Sequence, residues 1–440
     1  MRNRYLDLLR AAAIVRVIVY HLFGWSWLSI VMPAMGVMFA LAGSLTAASL
    51  EKRPANRVVT SRLRRLLPPL WLLGLIAVPV MIALGWAQEE DGEHPFTPWK
   101  LAFWILPLGD PPGSDLGIDS WEPLWYIRAY VWFILLSPLL WVVWKRLGPA
   151  CWLLVFAPIA AIVVLDKTGF ALPETADAVM WDFVTYGACW IMGFAHRDGR
   201  LARLHPTSVL LLAAMLGGAA LYWQNGHQGE DAWDLNDVSE SQSLYSLAFV
   251  LLTLRWQPGM AWLARVRPLD RAVTLLNNRA VTVYLWHNLA IAAIWPLLTF
   301  LALDDLGHLE KPVTLGMTFL LTGVAVLLFG WVEDLAAQRR PRLWPDAVPA
   351  RAVSTATPDP VAVPMEPTGP VPAGWPEVGR DGMPRAGWSD AGRDGQPFAG
   401  RPPAGVSRHS APPADGRKAR RAAKKRDENN LIPTWWAPEE

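Results

Sequence analysis

The chain is poor in cysteine and in charge. Only two cysteines occur in 440 residues, Cys151 and Cys189. Both fall in apolar segments and support neither a disulfide framework nor a cysteine metal site. Charged residues make up 18% of the chain, below the about 25% of soluble domains. No solenoid period and no strong inverted repeat is visible, which argues against stacked repeats and against many transporter folds. What is abundant settles the class. The chain is 53% hydrophobic with 26 tryptophans, the composition of a multi-span membrane protein whose tryptophans anchor interfaces and fill packing space.

Ten apolar segments of bilayer length, or nearly so, lie near 8–29, 31–50, 66–86, 121–143, 150–166, 179–195, 207–223, 242–256, 280–303 and 312–332. Lipid-exposed backbone must satisfy its own hydrogen bonds, so all are expected to be helices. The expected fold is an all-α polytopic membrane helix bundle of about ten transmembrane helices, with a disordered C-terminal tail. Connections alternate in charge. EKRPANRVVTSRLRR, Lys145-Arg146, HRDGRLARLHP and Arg255 to Arg271 are basic, whereas 88–96, 110–122 and 225–240 are acidic. The positive-inside rule then places the basic connections and both termini in the cytoplasm. The N-terminus has a basic start and an apolar run, as a signal peptide does. It is long, contains Arg16 and His21 and has no clear small-residue cleavage site, so it is expected to remain as the first span.

Residues 1–335 are expected to form the membrane domain and 336–440 a cytoplasmic tail. Between 345 and 415 the chain is rich in Pro, Gly and Ala without apolar periodicity, and cannot bury enough surface to offset its ordering entropy. The tail ends in GRKARRAAKKRDENN and LIPTWWAPEE. The basic cluster suits anionic headgroups, Trp435-Trp436 suits an interface, and a solvated tail without a partner is the simpler reading.

The most informative segment is the first, LLRAAAIVRVIVYHLFGWSWL. A charge at the centre of a membrane helix costs about 2.5–3.5 kcal/mol on insertion scales, so such residues normally face a bundle interior or a water-filled cavity. Arg10 and His21 are eleven residues apart, about 20° beyond three turns, and share a face roughly 16 Å apart along the axis. Asp7 lies near that face. Arg16 points elsewhere and receives no role. His94, His196, His205, His227 and His308 fall in connections and read as solvated polar residues. The acidic stretch 225–240 lacks the ligand register of a calcium loop. No metal site is expected.

The segment YLDLLRAAAIVRVIVYHLFGW resembles the start of the acyltransferase-3 family of integral membrane acyltransferases, with Arg10 and His21 at the family's basic and histidine positions. Four further stretches follow in the family's order. FALAGSL at 39–45 is similar to a Phe-x-Leu-Ser-Gly stretch, with Ala42 in place of Ser. RLRRLLPPLW at 62–71 matches an Arg-x-x-Arg motif through Arg62 and Arg65. LWYIRAYVWFILLSP at 124–138 keeps Trp125, Phe133 and Pro138, but Tyr126 replaces Ser and Tyr130 replaces the family's acidic residue. AVTVYLWHNLAI at 280–291 resembles a late Tyr-Leu-x-His element through Tyr284, Leu285 and His287, with His287 expected near the cytoplasmic end of its span. The resemblance covers roughly residues 5–332.

It implies transfer of an acyl group, usually acetyl or another short chain, from cytoplasmic acyl-CoA. The implied acceptor is a hydroxyl of an envelope glycan, a lipid-linked saccharide or a secreted metabolite. Acyl-CoA would be a substrate, with no permanently bound cofactor and no nucleic-acid partner. His21 would act as general base or transient acyl carrier, since histidine titrates near neutral pH. Arg10 would stabilise negative charge, and Arg62 and Arg65 would bind CoA phosphates, because guanidinium groups grip oxyanions bidentately. Trp125, Tyr126, Tyr284 and His287 are further candidates. Onward transfer would need a partner acceptor or transfer protein. A transporter or channel using His21 and Arg10 as an ion or proton path is the alternative reading, and a scaffold displaying the tail is a third.

Overall fold

The computed structural model describes residues 3–88, 92–228, 233–303 and 306–343. Tail residues 344–440, with the basic cluster and Trp435-Trp436, lie outside the described residues, as do 89–91 and 229–232 of two acidic connections. The described chain is helical and contains no strand. Its main helices are α1 (Arg4–Phe23), α2 (Ala34–Leu50, after a short helix Trp27–Val31), α3 (Ala55–Ala83), α4 (Trp125–Arg146), α5 (Trp152–Thr168), α6 (Glu174–Arg197) and α7 (Pro206–Gly226). There follow α8 (Ser239–Arg255), α9 (Arg267–Asn278), α10 (Ala280–Ala292), α11 (Ile294–Phe300), α12 (Glu310–Phe329) and α13 (Trp331–Ala336).

Among the described residues seven segments are long and apolar enough to cross a bilayer, or eight if the bent pair α10–α11 forms one span. The expected count of about ten is not reached on that measure. Helix α1 falls short because it carries Arg4, Asp7, Arg10 and Arg16 within 20 residues. Helix α8 is only 17 residues long.

Local chemistry sets the ends of α1. The Asn3 side chain accepts from the backbone N–H groups of Tyr5 and Leu6, a standard N-cap. Gly24, at φ 62°, closes the other end by donating to the Tyr20 carbonyl, a left-handed conformation that glycine adopts without a Cβ penalty. Inside the bundle, α2 and α6 approach at backbone contact. A Cβ on Gly43 would stand 2.2 Å from the Trp190 carbonyl oxygen, and one on Gly193 would stand 2.2 Å from that of Ala40. Small residues allow such crossings where apolar burial no longer drives helices together. Helix α2 is central, with 83% of its span window buried. The windows of α5 and α7 are only 22% buried. Leu75, Leu139, Leu153, Leu211, Met215 and Leu320 are exposed on α3, α4, α5, α7 and α12, as a lipid-facing belt requires.

Two polar clusters tie connections to helix ends. Arg128, 5% exposed, binds Asp182 through Nε and Nη2 at 3.1 and 2.8 Å and also binds Asp110. Burial pushes the Asp110 carboxyl upward even beside this arginine. Asp198, just past α6, accepts from Lys145, from Arg200 Nε at 2.7 Å and from Trp144 Nε1 at 3.2 Å.

Helix α9 sets the depth of everything after it. It packs along the first turns of α1 before the chain enters α10. Arg4 binds Asp270 and reaches Thr274 at 3.3 Å. Beyond the last long helix, α13 packs on α3. Its acidic pair reaches α10. Glu333 accepts from the Val281 N–H at 2.9 Å and the Thr282 hydroxyl at 2.8 Å, and Asp334 binds Arg279 at 2.6 Å.

Candidate active site

Arg10, 4% exposed, is held by α9. Its Nη1 donates to Asn277 Oδ1 at 3.1 Å. The Asn277 amide is itself fixed, because its Nδ2 donates to the carbonyls of Asp7 and Val273, both at 2.8 Å. Nothing in the sequence singled out Asn277. Its only signal is an amide on the apolar side of an amphipathic helix.

From Tyr130, within electrostatic range of Arg10, a series of aromatic rings runs through the bundle. Tyr130 stacks on Tyr126 at 6.3 Å, and Tyr126 meets Tyr284 at 5.1 Å. Tyr284 meets His287 at 5.7 Å, and His287 meets the edge of His21 at 5.2 Å. The Tyr284 hydroxyl donates to the Pro123 carbonyl. Helices α1, α4 and α10 thus bring Tyr126, Tyr284, His287 and His21 into one series. His287 was expected near the start of its span. Because α9 first runs beside α1, the chain is level with His21, near the far end of α1, by the time it reaches His287.

The histidines differ in access. His287 is 1% exposed, whereas His21 is exposed. His287 Nδ1–H donates to the Tyr284 carbonyl at 2.6 Å, so in the neutral ring Nε2 carries the lone pair. That Nε2 is buried without a hydrogen-bond partner, as are the Tyr126 hydroxyl and Asn288 Oδ1. The Asn288 amide lies beside His21, with 3.5 Å between Nδ2 and the ring Nδ1. His287 and Tyr284 also border a narrow apolar recess, with room for about one water molecule, whose other walls are Ile14, Val17, Ile18, Met38 and Val283. Buried polar atoms without partners are rare and call for an explanation. Of the three residues only His287 borders the recess, and its ring stands edge-on to the exposed His21.

Arg62 and Arg65 are 4% and 7% exposed. Arg62 Nη2 donates to the Leu45 carbonyl and the Ser49 hydroxyl, both at 3.2 Å. Arg10, Arg62 and Arg65 all lie within electrostatic range of the Tyr130 hydroxyl. Tyr130 therefore stands where the chain gathers three guanidinium groups.

Other candidates lie apart. Trp125 stacks on Tyr186 at 5.8 Å, one step off the ring series. Arg16 donates to the Leu28 carbonyl at 3.2 Å and lies over Tyr20, whose hydroxyl binds Asp234 at 2.5 Å. It secures a connection. Two histidines expected to be solvated are instead engaged. His94 Nδ1 pairs with Asp115 at 2.5 Å. His196 bridges the Ser44 hydroxyl at 2.8 Å and the Gln257 amide at 2.6 Å. His205, His227 and His308 are exposed. Among the described residues no group of three His, Cys, Asp or Glu side chains could hold a metal.

The model of the acyltransferase-3 family, described as an acyltransferase domain, matches residues 3–332. No curated protein and no solved structure matches the chain.

Proposed function

The chain belongs to the acyltransferase-3 family, which makes it a membrane acyltransferase, and from that premise we propose that it moves an acetyl or other short acyl group from cytoplasmic acyl-CoA to a hydroxyl. The acceptor is an envelope glycan, a lipid-linked saccharide or a secreted metabolite. The basic end of the bundle faces the cytoplasm, with both termini, in a cell membrane. The observation that carries the reading is the unbroken ring series from the Arg62, Arg65 and Arg10 cluster to His21.

In the proposed reaction the acceptor oxygen attacks the thioester carbonyl. A C–O bond forms, the C–S bond breaks, and CoA leaves as a thiolate that takes up a proton. His21 removes the acceptor's proton. It is suited to this because it is accessible and lies beside the recess-lining His287. Positioned acid–base groups of this kind contribute about 10²–10⁴-fold. Arg10, fixed by Asn277 and about three turns from His21, stabilises negative charge on the donor. Arg62 and Arg65 hold the CoA phosphates. With donor and acceptor meeting from opposite sides, acyl groups cross the membrane while CoA stays behind.

The test is CoA release from acetyl-CoA and longer acyl-CoAs by purified protein in nanodiscs, comparing wild type with His21→Ala and Arg10→Ala. Release that depends on both residues is expected. Release unaffected by His21→Ala removes His21 from the reaction, and absence of both binding and release removes acyl-CoA as donor.

A further inference from the structure

Helix α10 carries Tyr284 and His287, yet it cannot cap its own start. The first N–H groups of a helix have no partner within it. The residue at the N-cap of α10 is Arg279, and a guanidinium group donates hydrogen bonds but accepts none. The cap comes instead from α13, 52 residues further along the chain. Glu333, 7% exposed, accepts from the Val281 N–H at 2.9 Å through Oε1 and from the Thr282 hydroxyl at 2.8 Å through Oε2. A carboxyl group placed there also meets the positive pole of the helix.

The same segment seats the corner before α10. Arg279 is buried and donates through Nη2 to Asp334 Oδ2 and to the Arg342 carbonyl, both at 2.6 Å. Gly330, between α12 and α13, leaves room for its stem, since a Cβ there would stand 3.0 Å from Arg279 Cδ. The Arg342 N–H donates to Asp334 Oδ2 at 3.0 Å, because the chain folds back after α13. In that turn the Gln338 N–H donates to the Leu335 carbonyl at 2.8 Å and the Arg339 N–H to the Asp334 carbonyl at 2.7 Å. This is the paired bonding of a Schellman cap, whose left-handed position usually holds glycine. Here Gln338 occupies it at φ 58°, a conformation that persists only where its surroundings enforce it. Helix α13 packs on α3, and α10 packs on α1, α3 and α12. A carboxyl group from α13 thus fixes the start of α10, and His287 follows six residues after Val281, about 9 Å along the axis.

We propose that Glu333 is a positioning residue for acyl transfer: by capping α10 it sets the depth and rotation of that helix and holds His287 edge-on to His21. It acts through α10, since its bonds go to Val281 and Thr282. The inference rests on the reading of His21 as the base.

Full-length protein in phosphatidylcholine nanodiscs is assayed for acetyl-CoA turnover per folded protein. In parallel, labelling by diethyl pyrocarbonate is read at each histidine by mass spectrometry. The variants are Glu333→Ala, Glu333→Gln, Thr282→Val and, as an exposed control at the far end of α12, Glu310→Ala. In wild type the exposed His21 is labelled and the buried His287 is protected. Glu333→Ala is expected to lower kcat about ten-fold or more, as misplacement from a distance does. KM for acetyl-CoA stays within about two-fold, because the donor is held elsewhere, and His287 opens to labelling. Glu333→Gln keeps an oxygen for the Val281 N–H and recovers most of the rate and of the protection. Thr282→Val loses one of the two bonds and lowers kcat about three-fold or more; it decides the matter if Glu333→Ala does not fold. Glu310→Ala matches wild type. An unchanged kcat per folded protein, or a raised KM in place of a lowered kcat, overturns the proposal. Should wild type not turn over acetyl-CoA, the donor reading fails separately and labelling decides. His287 opened by Glu333→Ala supports the proposal, and His287 still protected overturns it.

Discussion

His287 donates its Nδ1–H to the carbonyl of Tyr284 at 2.6 Å, three residues back on the same helix. The bond fixes both the tautomer of the neutral ring and its orientation, leaving the lone pair on Nε2, while the ring stands edge-on to His21 at 5.2 Å. A residue so held works with its neighbour and not alone.

The two histidines should therefore be coupled. His21→Ala is expected to lower acyl transfer by about 10²–10⁴-fold, and His287→Gln by less, since His287 is behind the accessible ring. The double variant should fall no further than His21→Ala, as happens when residues act as a unit. Steady-state turnover of the three variants checks this. Losses that multiply would mean that the histidines act independently.

The α2–α6 crossing makes a steric prediction. Gly43→Ala places a methyl 2.2 Å from the Trp190 carbonyl oxygen, a backbone atom that cannot swing away. The helices must separate, at a cost of about 1–3 kcal/mol typical of overpacking. Gly218→Ala on α7 meets nothing within 4 Å and should be neutral or stabilising by roughly 0.5–1 kcal/mol, because alanine loses less freedom in a helix. Thermal unfolding in one detergent compares them, and equal midpoints would contradict the close approach.

The buried Arg128 is predicted to matter through its partners. Arg128→Leu strands Asp182, which is 12% exposed, and removal of one member of a buried ion pair costs about 3–5 kcal/mol. Asp110, half exposed at 48%, can recover water, so Asp110→Asn should cost far less. The ordering of the two melting temperatures is the observable.

Much of this was legible in the sequence, and what escaped shares a cause. Apolar run length and alternating loop charge mark the helices because the bilayer demands both. Arg10 and His21 stood out because a membrane helix rarely carries them. Asn277 escaped because its role is set by α1, 267 residues away. His94 and His196 read as solvated because their partners Asp115, Ser44 and Gln257 are distant or belong to other elements. Residues 336–343 read as the start of the tail, since a Schellman turn built on glutamine has no glycine to announce it. Periodicity reports which face is buried, but contacts between elements remote in sequence leave no period.

Asp198 makes acid sensitivity predictable. Burial works to raise its carboxyl, and the hydrogen bonds from Lys145, Arg200 and Trp144 outweigh it, holding the group below the ordinary aspartate range. A carboxyl depressed in the folded state binds protons more readily when unfolded. Its stabilisation is fully present above the unfolded value of about 3.9 and is lost as pH falls from there through the folded value. Lys145 is 44% exposed, so solvent screens that contact and the contribution is small, on the order of 1 kcal/mol or less. Between neutral pH and about pH 5 the wild-type protein and Asp198→Asn should differ by a constant margin, which narrows below about pH 4. Melting temperatures of both proteins across that range provide the comparison. A margin that widened on acidification would mean that Asp198 is raised by its burial, and that the three donors at the ends of α4 and α6 do not control it.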